Sequence, residues 1–231
     1  MPRKIVILLG HPGAGKGTQS RAIMRQLEIP QISTGDMLRD AVVRQTSFGK
    51  EAKERMDAGE LVSDEIVNGI VAERIVRADC TKGFILDGYP RNVHQAETFG
   101  KELRTIDHLF VIEIDAVSER LVNRLTGRLM CPGCGDIYNI YSRVPQNDRK
   151  CDRCGRELVH RSDDREDLIQ ERFRTYHGET YPLVEYYAAS GVYHKVDGMR
   201  PIGDITKDIL TIVDGERAVT PDPKGGTPKF A

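Results

Sequence analysis

The chain has 231 residues, of which 39% are hydrophobic. At roughly 150 residues per domain, this length allows one or two folding units with a buried core. The 34 Lys and Arg residues are balanced by 35 Asp and Glu residues, giving a formal net charge of −1. This balance excludes a global positive field that would collect nucleic acid or an acidic membrane surface, so any basic site must be local.

The first apolar run ends at Gly10 and is too short for a secretory signal or a membrane span, so we expect a cytosolic protein. Strands are predicted at residues 4–9, 31–33, 83–87, 109–114 and 192–196. Helical patterns are predicted at residues 19–27, from Ser63 to about 75, from Ser162 to about 188, and at 204–213. Two shorter charged helices between residues 36 and 59, broken near 47–49, form an appended subdomain. The alternation predicts an α/β fold with a parallel sheet.

A glycine-rich turn follows the first strand and leads into a helix. It reads Gly10-His11-Pro12-Gly13-Ala14-Gly15-Lys16-Gly17-Thr18. Glycines let backbone N–H groups converge on phosphate oxygens, and the lysine adds a mobile charge at the β- and γ-phosphates. The sequence therefore predicts a nucleoside triphosphate site, although Gly17 stands where Ser or Thr usually follows the lysine. A GTPase is disfavoured because the guanine signature and the Asp-x-x-Gly switch are missing from the sequence.

Further blocks extend this pattern along the chain: residues 33–39, 59–64, 84–91 with Gln95, and 125–128. Together with the glycine-rich turn they resemble the adenylate kinase family, in order, over most of residues 4–200. The resemblance implies a P-loop nucleoside monophosphate kinase fold with a five-stranded parallel sheet flanked by helices. It also implies reversible transfer of the γ-phosphoryl group of MgATP to AMP, giving two ADP.

The same resemblance divides the chain into a core and two insertions. The core comprises residues 1–33, 63–125 and 162–215, an AMP-binding subdomain comprises 34–62, and a lid comprises 126–161. Residues 216–231 lack an apolar period and are predicted to be a disordered tail. We expect a monomeric cytosolic enzyme with ATP, AMP and ADP as its partners and without nucleic acid or membrane partners.

The resemblance also assigns the site residues. ATP is expected at Gly13, Ala14, Gly15, Lys16, Gly17, Thr18, Arg124 and Arg128. AMP is expected at Thr34, Gly35, Arg39, Leu61, Val62, Gly88, Arg91, Gln95, Arg161 and Arg172. Catalysis is expected from Lys16, Arg91, Arg124, Arg128, Arg161 and Arg172. Asp87 is expected to hold Mg²⁺ through water, and Asp163 and Asp164 either assist there or only stabilise a helix start.

The residue chemistry agrees with cationic catalysis, because an attacking phosphate oxygen has little proton to lose and needs charge neutralisation instead of a base. Arg124 and Arg128 are four residues apart, so a helix would place them on one face. Arg161 and Arg172 are eleven residues apart and would share a face if the helix extends back to residue 161. Gln95 can pair with the adenine edge through one donor and one acceptor. The resemblance implies AMP in preference to UMP or CMP, because the uridylate and cytidylate kinases of the family usually carry Asn at this position. His11 and Tyr89 depart from the usual Gly and Phe of the family.

Four of the five cysteines form two C-x2-C pairs, Cys131 with Cys134 and Cys151 with Cys154. Four thiolates predict a closed tetrahedral Zn²⁺ site, structural because it leaves no open position. Cys80 is expected to be a buried, inert thiol. An alternative interpretation takes the cysteines as a zinc ribbon that binds nucleic acid or protein, with the phosphate loop as an accessory ATPase. Its binding surface would use Arg143, Arg149 and Lys150 with Tyr138 and Tyr141. A further alternative is a kinase with another donor or another acceptor.

Overall fold

The computed structural model describes residues 2–215. Its strands are β1 (Lys4–Leu9), β2 (Gln31–Ser33), β3 (Gly83–Asp87), β4 (His108–Asp115), β5 (Arg128–Met130), β6 (Ile137–Asn139) and β7 (Tyr193–Asp197). Five of them form a parallel sheet in the order β2-β3-β1-β4-β7. The other two, β5 and β6, form a separate antiparallel pair.

Helices connect these strands and cover both faces of the sheet. They are α1 (Lys16–Leu27), α2 (Thr34–Val43), α3 (Ser47–Asp57), α4 (Asp64–Ile75), α5 (Val93–Gly100), α6 (Ser118–Thr126), α7 (Glu166–Thr175), α8 (Pro182–Ala188) and α9 (Ile202–Gly215). Short 3₁₀ turns lie at Ala78–Cys80 and Ser162–Asp164, and a π-helical segment lies at Tyr176–Thr180. The predicted α/β class and five-stranded parallel sheet are confirmed.

The core lies on both faces of the sheet, because successive side chains of a strand point in opposite directions. In β1, Ile5 and Ile7 belong to one buried cluster, while Val6 and Leu8 belong to the cluster on the opposite face. Strands buried on both faces read as continuous apolar runs, and this is why the sequence shows β1 so clearly.

The parallel strands bring their carboxyl ends to one edge. Ser33 at the end of β2 and Leu8 near the end of β1 both pair with Asp87 at the end of β3. In open α/β sheets, ligands bind in the crevice outside these ends. The register therefore places the glycine-rich turn after β1 beside Ser33 and Asp87.

The predicted strand positions are confirmed, with β1, β2 and β3 at the predicted residues and β4 and β7 shifted by one residue at their ends. The predicted break near residues 47–49 is wrong, because α2 ends at Val43 and α3 begins at Ser47. Gly49 lies inside α3, where an added Cβ would come within 2.1 Å of the Ala41 carbonyl oxygen. The glycine permits close helix packing and does not mark a turn.

The predicted start of the long helix at Ser162 is also wrong, whereas its predicted end near residue 188 is confirmed. Ser162 lies in a 3₁₀ turn, and α7 begins at Glu166 after Arg165. After Thr175 the helical backbone continues through a π-helical segment, in which Tyr181 N–H donates to Tyr176 O at 2.8 Å, into α8, which begins at Pro182 and ends at Ala188. Proline has no N–H to continue the ladder and favours the first position of a new helix. The proposed tail at 216–231 lies outside the described residues, and the division into core and insertions stays a prediction.

Replacing Gly49 with alanine should destabilise the fold, because the new Cβ would clash with the backbone of α2. We expect a loss of at least about 2 kcal/mol in the free energy of unfolding, measured by urea denaturation. Gly69→Ala in α4 is the matched control, since nothing lies within 4 Å of its added Cβ. It should be neutral or stabilising by up to about 1 kcal/mol. Equal stability of the two variants would contradict the packing argument.

Candidate active site

A cavity of about 890 Å³ lies at the carboxyl edge of the sheet. All of the nucleotide-site and magnesium-site residues predicted from the sequence line it: Gly13, Ala14, Gly15, Lys16, Gly17, Thr18, Thr34, Gly35, Arg39, Leu61, Val62, Asp87, Gly88, Arg91, Gln95, Arg124, Arg128, Arg161 and Arg172. Residues scattered over most of the chain thus converge on one cleft. Their individual roles stay predictions.

The glycine-rich turn at one end of the cavity is shaped to bind an anion. Gly10 has a φ of 135°, and a Cβ there would come within 2.5 Å of the Ile114 carbonyl oxygen. Gly15, with a φ of 107°, precedes α1, whose first turn contains no acidic residue. Free N–H groups and the positive end of the helix dipole therefore face the cleft, as phosphate binding requires.

Lys16 lies in this turn without an acidic partner. Its Nζ donates to Gly10 O at 2.5 Å and to His11 O at 2.9 Å. Burial, together with the positive charges of Arg91 and Arg172 and against the opposite effect of Asp87, lowers the pKa of Lys16 to about 7. An anion bound beside Nζ would stabilise its protonated form.

Two acidic side chains anchor part of the arginine cluster. Arg128 forms a two-pronged ion pair with Asp164, and Arg172 contacts the same carboxylate at 3.0 Å. Arg172 also lies 3.2 Å from Asp163, which Arg39 approaches to 3.7 Å. Arginine contacts hold the pKa of Asp163 below its usual value despite its burial. Asp163 and Asp164 therefore position arginines, a role that the two sequence-based alternatives for them did not include.

Other arginines keep donors free inside the cleft. Arg91 Nε donates to Gly88 O at 2.9 Å, and burial together with Arg172 and Arg39 lowers the pKa of Arg91 to about 10. Burial lowers the pKa of Arg161, and the positive charges of Arg128 and Arg39 act in the same direction, so that this pKa is about 9. The Nε atoms of Arg39 and Arg161 are buried without a hydrogen-bond partner. Such unpaired buried donors fit an anionic ligand.

The helical argument for the two arginine pairs is wrong, although all four residues line the cavity. The helix that carries Arg124 ends at Thr126, and Arg128 lies on β5. Arg161 precedes the 3₁₀ turn and lies outside α7, which carries Arg172. Chain reversals and tertiary contacts, including the shared carboxylate of Asp164, bring these guanidinium groups together.

Asp87 presents a carboxylate at the end of β3. Its Oδ2 accepts from Gln31 Nε2 at 2.9 Å and from Ser20 Oγ at 3.3 Å. Sequence analysis did not single out Gln31 or Ser20, because neither belongs to a recognised motif. The carboxylate fits a hydrated Mg²⁺ near the phosphates, since Mg²⁺ prefers oxygen ligands and retains several waters.

His11 connects the glycine-rich turn to the helical region beyond α7. Its ring centroid lies 4.1 Å from that of Tyr176, 4.7 Å from that of His177 and 5.9 Å from that of Phe173. Its Nδ1 is buried without a hydrogen-bond partner. Burial, together with the neighbouring His177 and Lys16 and against the opposing effect of Asp115, lowers the pKa of His11 to about 4. His11 is thus a packed neutral ring.

The four predicted cysteine ligands converge on one point. Their sulfur atoms all lie within 4.8 Å of one another, and none of them forms a disulfide. The Sγ atoms of Cys131 and Cys154 are 3.3 Å apart, and those of Cys134 and Cys151 are 3.5 Å apart. Tetrahedral bonds of about 2.3 Å to zinc would separate sulfur atoms by about 3.8 Å, so the cluster fits such an ion.

Each cysteine pair lies in the same kind of turn. Gly135 N–H donates to Cys131 O at 2.9 Å, and Gly155 N–H donates to Cys151 O at 2.8 Å. Both turns have the sequence C-x2-C-Gly, at residues 131–135 and 151–155. The glycine of this pattern is a signal that the sequence analysis did not use. Around the cluster, Leu129, Tyr138 and Leu158 form a small core with Cys131 and Cys151.

The surface needed for a nucleic-acid-binding zinc ribbon is incomplete. Tyr138 is buried, and the guanidinium group of Arg143 lies over its ring and pairs with Asp136 at 3.1 Å. Tyr141 is exposed, but Tyr138 offers no face for base stacking. Cys80 is buried as predicted. Among the described residues, no helix is long and apolar enough to span a bilayer.

A phosphate-binding turn and a second set of arginines that line the same cleft define a P-loop phosphotransferase. Residues 8–192 match the model of the family described as adenylate kinase. A curated protein of Nitrosococcus oceani named adenylate kinase is 50% identical over 91% of this chain and 99% of its own length. Proteins of the same name from Archaeoglobus fulgidus and Caldanaerobacter subterraneus are 47% and 46% identical, over 90% and 92% of this chain and 97% of each relative. The chain belongs to the adenylate kinase family.

Because His11 is packed against aromatic rings and its pKa is lowered, the free energy of unfolding should depend on pH below about 6.5. The unfolded chain binds a proton at His11 near pH 6.5, but the folded chain does so only near pH 4. The free energy of unfolding should therefore fall as the pH decreases through this interval. Urea unfolding at about pH 7.5 and about pH 5 should show a smaller loss in His11→Gln than in the unmodified protein. His94→Gln controls for loss of a surface histidine, and equal losses in all three proteins would contradict the prediction.

Proposed function

We propose that the protein transfers the γ-phosphoryl group of MgATP reversibly to AMP, forming two ADP and balancing the adenine nucleotide pool. One observation carries this proposal: two cations that follow the neighbouring strands β1 and β3, Lys16 in the glycine-rich turn and Arg91, line one cavity, and neither forms an ion pair with an acidic side chain of the described residues. Family membership supports the same reaction. A cleft for a single triphosphate would not need the second set of arginines.

In the proposed arrangement, the triphosphate binds over the turn at one end of the cavity. Backbone N–H groups and Lys16 hold the β- and γ-phosphates, while Arg124 and Arg128 contact the donor from the other side. Mg²⁺ supplies further charge neutralisation when it is bound with ATP, and Asp87 would hold it through water. The Nζ atom of Lys16 already lies beside the backbone of the glycine-rich turn, so the lysine side chain needs little rearrangement to contact a bound phosphate.

The acceptor phosphate binds at the opposite side of the same cavity. Arg39, Arg91, Arg161 and Arg172 surround this position, with Thr34, Gly35, Leu61, Val62, Gly88 and Gln95 toward the nucleoside. The attacking oxygen already carries negative charge, so the arginines must orient it and offset its repulsion from the donor. A general base is not required for this transfer.

Two insertions enclose the reacting groups. Arg161 at the end of the proposed lid lies 3.4 Å from Asp36 on α2, so the lid and the AMP-binding segment meet beside the cleft. Closure of residues 126–161 over the cavity would exclude water, which would otherwise compete with AMP as acceptor. The cytosolic location and the monomeric state stay predictions.

We further propose that the four cysteines hold a structural zinc ion in the lid. The four-sulfur donor set is closed, which leaves no position for a reacting ligand. The ion would fix the two turns relative to each other without taking part in phosphoryl transfer.

The reaction is tested by following ADP formation from MgATP with each of AMP, GMP, CMP and UMP, beside ATP alone. We expect strong dependence on AMP. Lys16→Met should lower the specificity constant at least about 100-fold, because a charge at the transferring phosphates is lost. Lys82→Met, at an exposed lysine, is the matched control. Acceptor-independent ATP turnover, or full activity of a folded Lys16→Met protein, would contradict the proposal.

The zinc assignment predicts one zinc ion per chain by elemental analysis. Cys134→Ser should lower the zinc content and the melting temperature, because the lid loses a ligand to its structural ion. Cys80→Ser is the control, since this buried thiol lies outside the cluster and its replacement should leave the zinc content unchanged. A zinc-free protein whose melting temperature is insensitive to Cys134→Ser would refute the assignment.

A further inference from the structure

Asp64 occupies the first turn of α4 and contacts a side chain of the acceptor site. Its Oδ1 accepts from Gln95 Nε2 at 2.6 Å and from Asn92 Nδ2 at 3.0 Å. On the other side of the same amide, Gln95 Oε1 accepts from the backbone N–H of Arg91 at 2.8 Å. Gln95 is only 1% exposed and lines the cavity. Both ends of this amide are therefore tied to the protein.

These two partners permit only one orientation of the amide. A carboxylate can only accept hydrogen bonds, and a backbone N–H can only donate. Rotating the amide by half a turn would place Gln95 Oε1 against the carboxylate of Asp64 and Nε2 against the Arg91 N–H. The fixed orientation leaves one N–H of Nε2 and one lone pair of Oε1 for a ligand.

Additional contacts hold this arrangement in place. Asn92 Oδ1 caps α5 by accepting from Gln95 N–H at 2.8 Å. The hydroxyl of Tyr89 donates toward Asn68 Oδ1 at 2.8 Å and Gln95 O at 3.2 Å. The beginning of α5 is thus fixed to α4, which carries Asp64. Ser63, which precedes α4, forms no side-chain cap hydrogen bond.

The orientation of the amide determines which purine edge it can recognise. A 6-aminopurine offers a donor at the amino group and an acceptor at N1, whereas a 6-oxopurine offers an acceptor at O6 and a donor at N1. A freely rotating glutamine could satisfy either edge in the same position. An amide fixed in one orientation can form both hydrogen bonds with only one of these two purine edges. Against the other edge, donor would face donor and acceptor would face acceptor.

We propose that Asp64 is a positioning residue that makes the acceptor site selective for 6-aminopurine over 6-oxopurine monophosphates. This inference rests on the proposed function, because it concerns the base bound at Gln95. Asp64 acts through the amide and does not touch the reacting phosphates. Its loss should therefore change the choice of acceptor more than the rate of transfer.

The test compares AMP with IMP, which differs from it only at position 6 and N1. Asp64→Asn retains the size of the side chain but removes the carboxylate that requires Nε2 as its donor, which leaves the backbone N–H of Arg91 as the remaining group that opposes rotation of the Gln95 amide. We expect the ratio of kcat/KM for AMP to that for IMP to fall about tenfold, while KM for ATP stays unchanged. Glu65→Gln is the matched control, since it removes an exposed charge from the same helical turn and should leave the ratio unchanged.

This ratio does not depend on the folded fraction, because both acceptors are measured on one preparation. Asp64→Ser provides a second variant, and calorimetric binding of AMP and IMP provides a second readout of the same ratio. An unchanged ratio, or an equal weakening of both acceptors, would overturn the inference while the AMP activity of the unmodified protein upheld the proposed function. Failure of the unmodified protein to use AMP would overturn both.

Discussion

The structure depends most on positive charge that is buried in one cleft. Ten basic and four acidic side chains line the cavity within the described part of the chain, although the whole sequence carries a net charge of −1. Removing charged groups from water is costly unless they are paired, and the lowered pKa values of Lys16, Arg91 and Arg161 express that cost. Phosphate groups provide the missing negative charge, so the same imbalance that strains the free protein favours binding of two nucleotides.

The central sheet holds the excess positive charge of the cleft in a fixed arrangement. Strands β1, β3 and β4 are buried on both faces, and their ends hold the glycine-rich turn and Asp87 in fixed positions. Asp164 then joins Arg128, at the entrance to the proposed lid, to Arg172 on α7. Asp163 and Asp164 therefore hold some of the arginines in position by ion pairing. The positive charges of Lys16 and Arg91 stay available to a ligand.

Sequence reasoning found the parts of the molecule that local pattern determines. Apolar runs located β1 and β3, and the spacing of glycines and cysteines located the phosphate turn and the metal cluster. It failed where tertiary contacts decide the structure. The position of Gly49 inside α3 depends on the neighbouring backbone of α2, and the placement of Arg161 depends on contacts far away in the chain. The orientation of Gln95 likewise depends on Asp64, thirty-one residues earlier, which a linear motif does not reveal.

The cysteine cluster explains how a small insertion could hold in place the two arginines that are proposed to act in catalysis. Leu129, Tyr138 and Leu158 form too small a core to order the whole segment by burial alone, and two of the proposed metal ligands complete that core. Arg128 and Arg161 lie at the two ends of the insertion, where Val159 pairs with Met130 across its base. A rigid insertion would move both arginines together when it closes. We infer that the proposed zinc ion would contribute to catalysis only indirectly, by keeping the insertion rigid so that its closure would move Arg128 and Arg161 together.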